Sequence, residues 1–452
     1  MEEVMLNKEE IFEVLNDWNF WNRSLPVTIS RIDYEKEIAR KAKSEEILIL
    51  KGVRRSGKST LLINEIKRLT AKEYQPRDIL YVNFEDPRFM GNLSLELLER
   101  IKDVFLEFVG PTKKPVIMLD EVQNIQSWEK WAFKEYSLKN AGLYITGSSS
   151  ALLSREIGTA LTGRYLDIEV FPLNFKEFLH FNQITIKNLS ERIRHRNKLN
   201  QLFNQYMEQG GFPKLFELKE DELQRDLLKS YFDSILLRDI VARHNLGNYR
   251  ALEEMATFLL ANIASINSTN KLKKIFSISF DSARDYISYL EDAFLIFQLH
   301  RFSWSVKKQI ANPRKFYSID TGLSNRVSFQ IGARKAQNLE NIIFLELLRR
   351  QWDIYYYKTK NDREVDFVIK KGSKITELIQ VSYSIENEQT RKRELAALKT
   401  AHNELAGETQ IKCTLLTMDK REEVNLDGLK IDVRNIIDWL LFPLPEFAEA
   451  GL

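Results

Sequence analysis

The chain has 452 residues, enough at roughly 150 per domain for about three domains with cores of their own. Its 44% hydrophobic, 11% aromatic and 29% charged content excludes wholesale disorder. Lys and Arg number 67 against 64 Asp and Glu, so the net charge of +3 permits a nucleic-acid partner without demanding one.

The single cysteine, Cys413, excludes an intramolecular disulfide framework and a four-cysteine zinc site, and it fits a reducing, cytoplasmic setting. The acidic start MEEVMLNKEEIFEVL lacks the apolar core of a signal peptide. No apolar run approaches the ~20 residues needed to span a bilayer, so no membrane partner is expected.

In chain order, helical spacing of apolar residues marks 8–20 and 31–43. The apolar run 46–50 has strand length and ends at Gly52. A helix (60–69), a strand (79–84), a helix (93–109), a strand (116–119), a helix near 127–139 and a strand (143–146) follow. Buried strands alternating with helices predict an α/β domain over 1–172, with a parallel sheet covered on both faces. From 173 to 313 the strand pattern stops and amphipathic helices take over, as in ELQRDLLKSYFDSILLRDIV. Within KLKKIFSISFDSARDYISYLEDAFLIFQLHRF the order helix, turn, helix, two short strands resembles a winged helix-turn-helix. A third, α/β domain is predicted over 314–452, with a helix at 339–349, strands at 354–358, 364–370, 376–381 and 412–416, and helices at 388–398 and 433–440.

Gly52-Val53-Arg54-Arg55-Ser56-Gly57-Lys58-Ser59 is a complete G-x-x-x-x-G-K-S pattern between a predicted strand and a predicted helix. Glycines let backbone N–H groups turn in around phosphates, and the helix amino terminus adds a favourable dipole. Arg54, Arg55, Ser56, Gly57 and Thr60 belong to the same candidate cradle. Lys58 is expected to reach the β- and γ-phosphates of ATP, and Ser59 to offer its hydroxyl to Mg²⁺. The apolar strand Val116-Ile117-Met118-Leu119 ends in Asp120-Glu121. Asp120 suits a Mg²⁺-holding Walker B aspartate, and Glu121 suits a group that orients the attacking water. Tyr144-Ile145-Thr146-Gly147-Ser148-Ser149 is another strand ending in small polar residues, and Thr146 or Ser148 could sense the γ-phosphate.

These segments, together with NFEDPR at 83–88 and LTGR at 161–164, resemble the bacterial and archaeal AAA-type ATPases that carry a winged-helix segment and a restriction-endonuclease-like carboxyl-terminal domain. The resemblance covers nearly the whole chain and is strongest between about residues 25 and 180. It implies ATP hydrolysis with Mg²⁺ and nucleotide-linked conformational change, and it leaves a homo-oligomer open. It also points to Arg164 as an arginine finger, acting on its own subunit or a neighbour, with Arg155 as the competitor. Glu85 and Asp86 at the end of the 79–84 strand either orient metal-bound water or cap a loop.

A helix-turn-helix would present Asp281, Arg284, Asp285 and Ser288 to DNA, with Lys271, Lys273 and Lys274 or the basic stretch 192–198 as phosphate contacts. Nucleases of the restriction-enzyme fold place an acid on one strand, E-x-K on the next and a Glu on the first helix. Asp366 and Glu340 match the first and last, and form a possible second metal site. Gln380 and Ser382 stand where the second carboxylate and the lysine belong, so a nuclease-like fold without robust cleavage is expected. The leading expectation is an ATPase that repositions these modules. An ATP-regulated DNA endonuclease and a slow-turnover nucleotide switch are the alternatives.

Overall fold

Five strands, β1 (Ile47–Lys51), β2 (Ile79–Asn83), β3 (Val116–Asp120), β4 (Gly142–Gly147) and β5 (Tyr165–Glu169), pair in parallel in the order β2-β3-β4-β1-β5. They belong to a computed structural model that describes residues 6–149, 161–328, 334–407, 410–419 and 421–442. The continuous apolar runs have a simple cause, because period-two alternation sends successive residues to opposite faces and both faces are covered. Ile47, Ile49, Ile117, Leu119 and Ile145 pack with residues of the helices Lys8–Trp18, Leu95–Val104 and Trp128–Ser137. Leu48, Leu50, Val116, Met118 and Tyr144 pack with those of the helices Ile32–Lys41 and Lys58–Thr70. Each fully buried Leu or Ile in this sandwich is worth about 1.5–3 kcal/mol of transfer free energy. The helix expected over 93–109 is α-helical only as Leu95–Val104 and widens into a π turn at Phe105–Val109.

Register places the functional ends of the strands together. Leu50 pairs with Thr146 and Leu119 with Ile145, so the carboxyl ends of β1, β3 and β4 share one edge of the sheet.

Residues Met1–Phe171 with Asp292–Phe294 form one compact unit, and Pro172–Glu291 with Leu295–Leu452 form the other. The second unit opens with helices that include Phe175–Phe181, Arg196–Gln209, Asp221–Ser234 and Arg250–Ala261. The strands β6 (Ser265–Asn267), β7 (Ile296–Leu299) and β8 (Arg314–Ser318) form a three-stranded antiparallel sheet in the order β6-β8-β7. The helices Thr269–Ile275 and Phe280–Asp292 lie between β6 and β7 in sequence. β8 therefore belongs to this sheet, although a boundary at 313 separates it from β7. A six-stranded mixed sheet follows: β9 (Asp353–Lys358), β10 (Glu364–Lys371), β11 (Lys374–Ser382), β12 (Lys412–Thr417), β13 (Glu422–Leu426) and β14 (Leu429–Asn435), in the order β13-β14-β12-β11-β10-β9. Its helix Glu388–Leu405 sets Leu395, Leu398 and Ala401 against Val365, Val368 and Leu415. The parallel α/β sheet, the helical middle region and the separate carboxyl-terminal sheet agree with the expected fold class. No helix among the described residues is long and apolar enough to cross a membrane.

A close backbone crossing holds the second unit together. Asp320 caps the helix Thr321–Val327 by accepting from Leu323 N (3.0 Å) and also accepts from Gly211 N (2.7 Å). A Cβ on Gly322 would stand 2.0 Å from the Gln209 carbonyl oxygen. Gly322→Ala is therefore expected to lower stability by at least about 2 kcal/mol, read as a reduced midpoint in chemical denaturation.

Candidate functional site

The candidate cradle leaves the end of β1 and leads into the helix Lys58–Thr70. Gly52 has φ +151°, and a Cβ there would lie 2.2 Å from the Val170 carbonyl oxygen, so only glycine fits this turn. Gly57, at φ +100°, is the residue before the helix, and Arg55 also adopts a left-handed conformation at φ +69°. Lys58 is 3% exposed. Its ammonium donates to the carbonyls of Gly52 (3.0 Å) and Val53 (3.2 Å) and lies 3.4 Å from a Glu121 carboxylate oxygen. Arg54 is buried and ion-paired with Glu85, while Arg55 is exposed. Ser56 is buried, and its carbonyl accepts from Arg31 (3.0 Å). Ser59 and Thr60 sit half-buried on the first turn.

Asp120, at the end of β3, is 1% exposed and ringed by hydroxyls. Tyr81 donates to it at 2.6 Å, Thr146 donates to its other oxygen, and Ser59 is hydrogen-bonded to it. Glu121 is the next residue, in a left-handed conformation (φ +56°) that turns its side chain back toward Lys58. Its N–H donates to the Thr146 hydroxyl (2.9 Å). Gln123 bridges the Glu121 carboxylate and the Ser148 hydroxyl (3.1 Å to the latter). Thr146 thus ties both acids to the end of the neighbouring strand. Lys58, Ser59, Asp120, Glu121, Thr146 and Ser148 all gather at one edge of the sheet.

The two acids are driven apart electrostatically. Burial raises the Asp120 pKa, the Glu121 charge adds to that, and the hydrogen bonds from Ser59, Thr146 and Tyr81 recover only part. Burial also acts to raise Glu121, but Lys58 and then Arg54 outweigh it and hold its carboxyl below the ordinary glutamate value. Adjacent acids with opposed shifts suit different tasks. Hydroxyl and carboxylate oxygens at Ser59 and Asp120 are the hard donors that Mg²⁺ prefers. The ionised Glu121 is an acceptor for the proton of a water.

Arg164 is not brought to this edge. Its carbonyl accepts from Ile47 N (3.1 Å), and Tyr165 pairs with Ile47, so Arg164 stands at the amino end of β1 and β5. Five residues of strand put it about 13 Å or more from the cradle. Its guanidinium lies over the Phe133 ring, 5.0 Å from the centroid. Arg155 lies outside the described residues.

Asp86 is a structural acid. It caps the turn Pro87–Phe89 through Arg88 N, accepts both arms of the Arg88 guanidinium (3.0 and 2.8 Å) and accepts from Trp18 Nε1 (2.7 Å).

The second candidate metal pair also comes together, but around a lysine. Lys315 of β8, 1% exposed, lies 2.7 Å from Glu340, 2.5 Å from Glu364 and 3.1 Å from Asp366. Among the described residues, no group of three or more His, Cys, Asp or Glu side chains is arranged to hold a metal ion. Asp366 is thus partnered by a lysine some fifty residues earlier in the chain. Gln380 spends its amide on Asp366 N (3.4 Å) and Glu394 (2.9 Å), and Ser382 bonds the Ser384 carbonyl. In the helix Phe280–Asp292, Arg284 pairs with Asp281 and Asp285, both at 3.3 Å. Arg192, in the basic stretch, is buried and paired with Asp438 and Asn435 rather than solvated.

A glycine cradle at the carboxyl edge of a parallel sheet, with a lysine, a serine and two acids converging on it, defines a P-loop domain. Residues 44–179 match a family described as an AAA domain, while 200–335 and 335–433 match two domains of unknown function, DUF8612 and DUF4143. An uncharacterized protein of Methanocaldococcus jannaschii is 36% identical over 391 residues, spanning 82% of this chain and 84% of that protein. One from Haemophilus influenzae is 29% identical over 418 residues, 91% of this chain and 98% of the other. The chain belongs to the same family as the Methanocaldococcus jannaschii protein, with an AAA-type P-loop domain at its amino-terminal end. Among solved structures, a Walker-type ATPase of Pyrococcus abyssi aligns with a TM-score of 0.42 and 13% identity, over 66% of this chain and 96% of that one. AMPPCP-bound DnaA from Aquifex aeolicus aligns at 0.25 and 17%, over 61% and 92%.

Tyr81, Gln123, Lys315 and Glu364 were not singled out by sequence reasoning. The available signal was a polar tip or charge inside an apolar strand, as in ILYVN and RKFYS. One prediction concerns the loop beside the cradle. The Arg88 hydrogen bonds, aided by Trp18, outweigh burial and hold the Asp86 carboxyl at about 2. The carboxylate's contribution is fully present above about pH 4 and is lost as the pH falls toward 2. Asp86→Asn should cost about 1–2 kcal/mol at neutral pH and flatten the acid limb of a stability–pH profile.

Proposed function

We propose that this protein is a Mg²⁺-dependent ATPase. The observation that carries the reading is the convergence of Lys58, Ser59, Asp120 and Glu121 on the glycine cradle, with Thr146 tying both acids in place. In this reading the backbone from Gly52 to Thr60 wraps the phosphates, and Lys58 exchanges its carbonyl partners for phosphate oxygens. Arg54 and Arg55 add positive charge at the mouth. Ser59 and Asp120 hold Mg²⁺, which supplies charge neutralisation when bound. Glu121 orients the attacking water and takes its proton, while Thr146 and Ser148 respond to the γ-phosphate.

Arg164 serves a neighbouring copy in this account, because it stands at the far edge of its own sheet. A homo-oligomer follows. Nucleotide turnover would then reposition the second unit. Its helix–turn–helix followed by strands β7 and β8 supports a winged-helix reading, and the six-stranded sheet with Asp366 and Glu340 supports descent from a nuclease-like fold. DNA contact in this account runs through Lys271, Lys273 and Lys274, since Arg284 is already paired with two acids.

Glu121→Gln should keep ATP binding and lose about 10²–10⁴-fold in turnover, whereas Lys58→Ala should lose binding itself in a calorimetric titration. Mixing Lys58→Ala with Arg164→Ala chains should restore part of the turnover that neither shows alone, through a site assembled from two copies. Negligible wild-type turnover with intact binding would point to a slow nucleotide switch. No binding of Mg²⁺–ATP at millimolar concentration would remove the reading.

A further inference from the structure

Three carboxylates from two elements meet at one buried point in the second unit: Glu340 from the helix Lys335–Arg349, and Glu364 and Asp366 from β10. The strand is shaped for this meeting. Between Val365 and Val368 the register of β10 against β9 shifts, so that Tyr355 faces Val368 and Tyr357 faces Val365. Asp366 and Phe367 together oppose the single residue Tyr356, which is a bulge, and bulges re-aim side chains. Asp366 is fixed further by Val381 N, which donates to it at 3.0 Å, and Glu340 by the Tyr317 hydroxyl at 2.7 Å.

In metal-dependent phosphodiesterases such a convergence of acids holds a divalent cation. Here the donor set does not fit one. The Lys315 ammonium touches all three carboxylates, and its stem is buried in β8, which is itself hydrogen-bonded on both sides. The neutral Gln380 is tied to Asp366 N and Glu394, so its amide is not free to replace a missing carboxylate.

We propose that Lys315 is the resident cation of this carboxylate cage: its ammonium stands where a divalent metal would otherwise be held, so the six-stranded unit binds no divalent metal there and cleaves no phosphodiester. Three negative groups in so dry a place require a positive partner. A lysine supplied by the chain provides it permanently, as a dissociable ion would not. The proposal is independent of ATP hydrolysis at the cradle.

The test uses the full chain without nucleotide, carrying Asp120→Asn to silence the cradle, with Mn²⁺ binding followed by electron paramagnetic resonance. With Lys315 intact, no Mn²⁺ should bind at millimolar concentration, and supercoiled plasmid should stay uncut. Lys315→Ala should create one Mn²⁺ site per chain, abolished again by Asp366→Asn, and Mn²⁺ should raise the melting temperature of the Lys315→Ala chain only. Mn²⁺ bound in the presence of Lys315 and lost with Asp366→Asn would overturn the proposal, as would a folded Lys315→Ala chain that binds none. Should Lys315→Ala fail to fold, the Lys315-containing pair decides alone, since binding that depends on Asp366 overturns the proposal and absence of binding upholds it.

Discussion

The flanking of β1 by β4 and β5, all three parallel, is the constraint from which the cradle follows. A central strand must be apolar on both faces, so ILIL admits no polar residue until the strand leaves the sheet. The chain then has to turn beside the carbonyl of Val170, where an added Cβ would lie 2.2 Å from that oxygen, so only glycine fits. Asp120 and Thr146 occupy corresponding ends of β3 and β4, where parallel register brings them level and the Thr146 hydroxyl donates to Asp120.

Two lysines illustrate how environment separates similar chemistry. Lys58 is held by two carbonyls, at 3.0 and 3.2 Å, and by one carboxylate at 3.4 Å. Lys315 is surrounded by three carboxylates; burial disfavours its charge, yet Glu340, Asp366 and Glu364 raise its pKa well above the ordinary lysine value. One ammonium is held mainly by neutral carbonyls, the other by three negative charges. Both are nearly inaccessible, so exposure alone does not distinguish them.

Much of the first unit was legible in the sequence because its signals are local. Gly52 to Ser59 forms a contiguous motif, and the apolar run before Asp120 announces its own burial. The strand carrying Thr146 was readable for the same reason. What was not legible depends on pairing over long separations. Nothing in LTGR says that Arg164 lies beside Ile47, because that follows from β5 adding next to β1. Nothing in EVDFV says that Asp366 meets Lys315, because that lysine is brought in by a different sheet. Arg192 shows the same effect in reverse. A basic run reads as a solvated face, yet contacts with Asn435 and Asp438, more than two hundred residues away, bury it. Helix geometry is also subject to packing, as the π turn at Phe105–Val109 shows.

β8 belongs to two structures at once. Its backbone completes the three-stranded sheet with β6 and β7, while the Lys315 side chain is anchored on β10 and on the helix Lys335–Arg349. Arg301 and Phe302 add a second seam, since Tyr356 of β9 accepts from Phe302 N at 2.7 Å and donates to the His300 carbonyl at 3.0 Å. A strand stitched on both sides in this way cannot serve as a joint. The middle and carboxyl-terminal sheets are thereby fastened into one continuous body within the second unit.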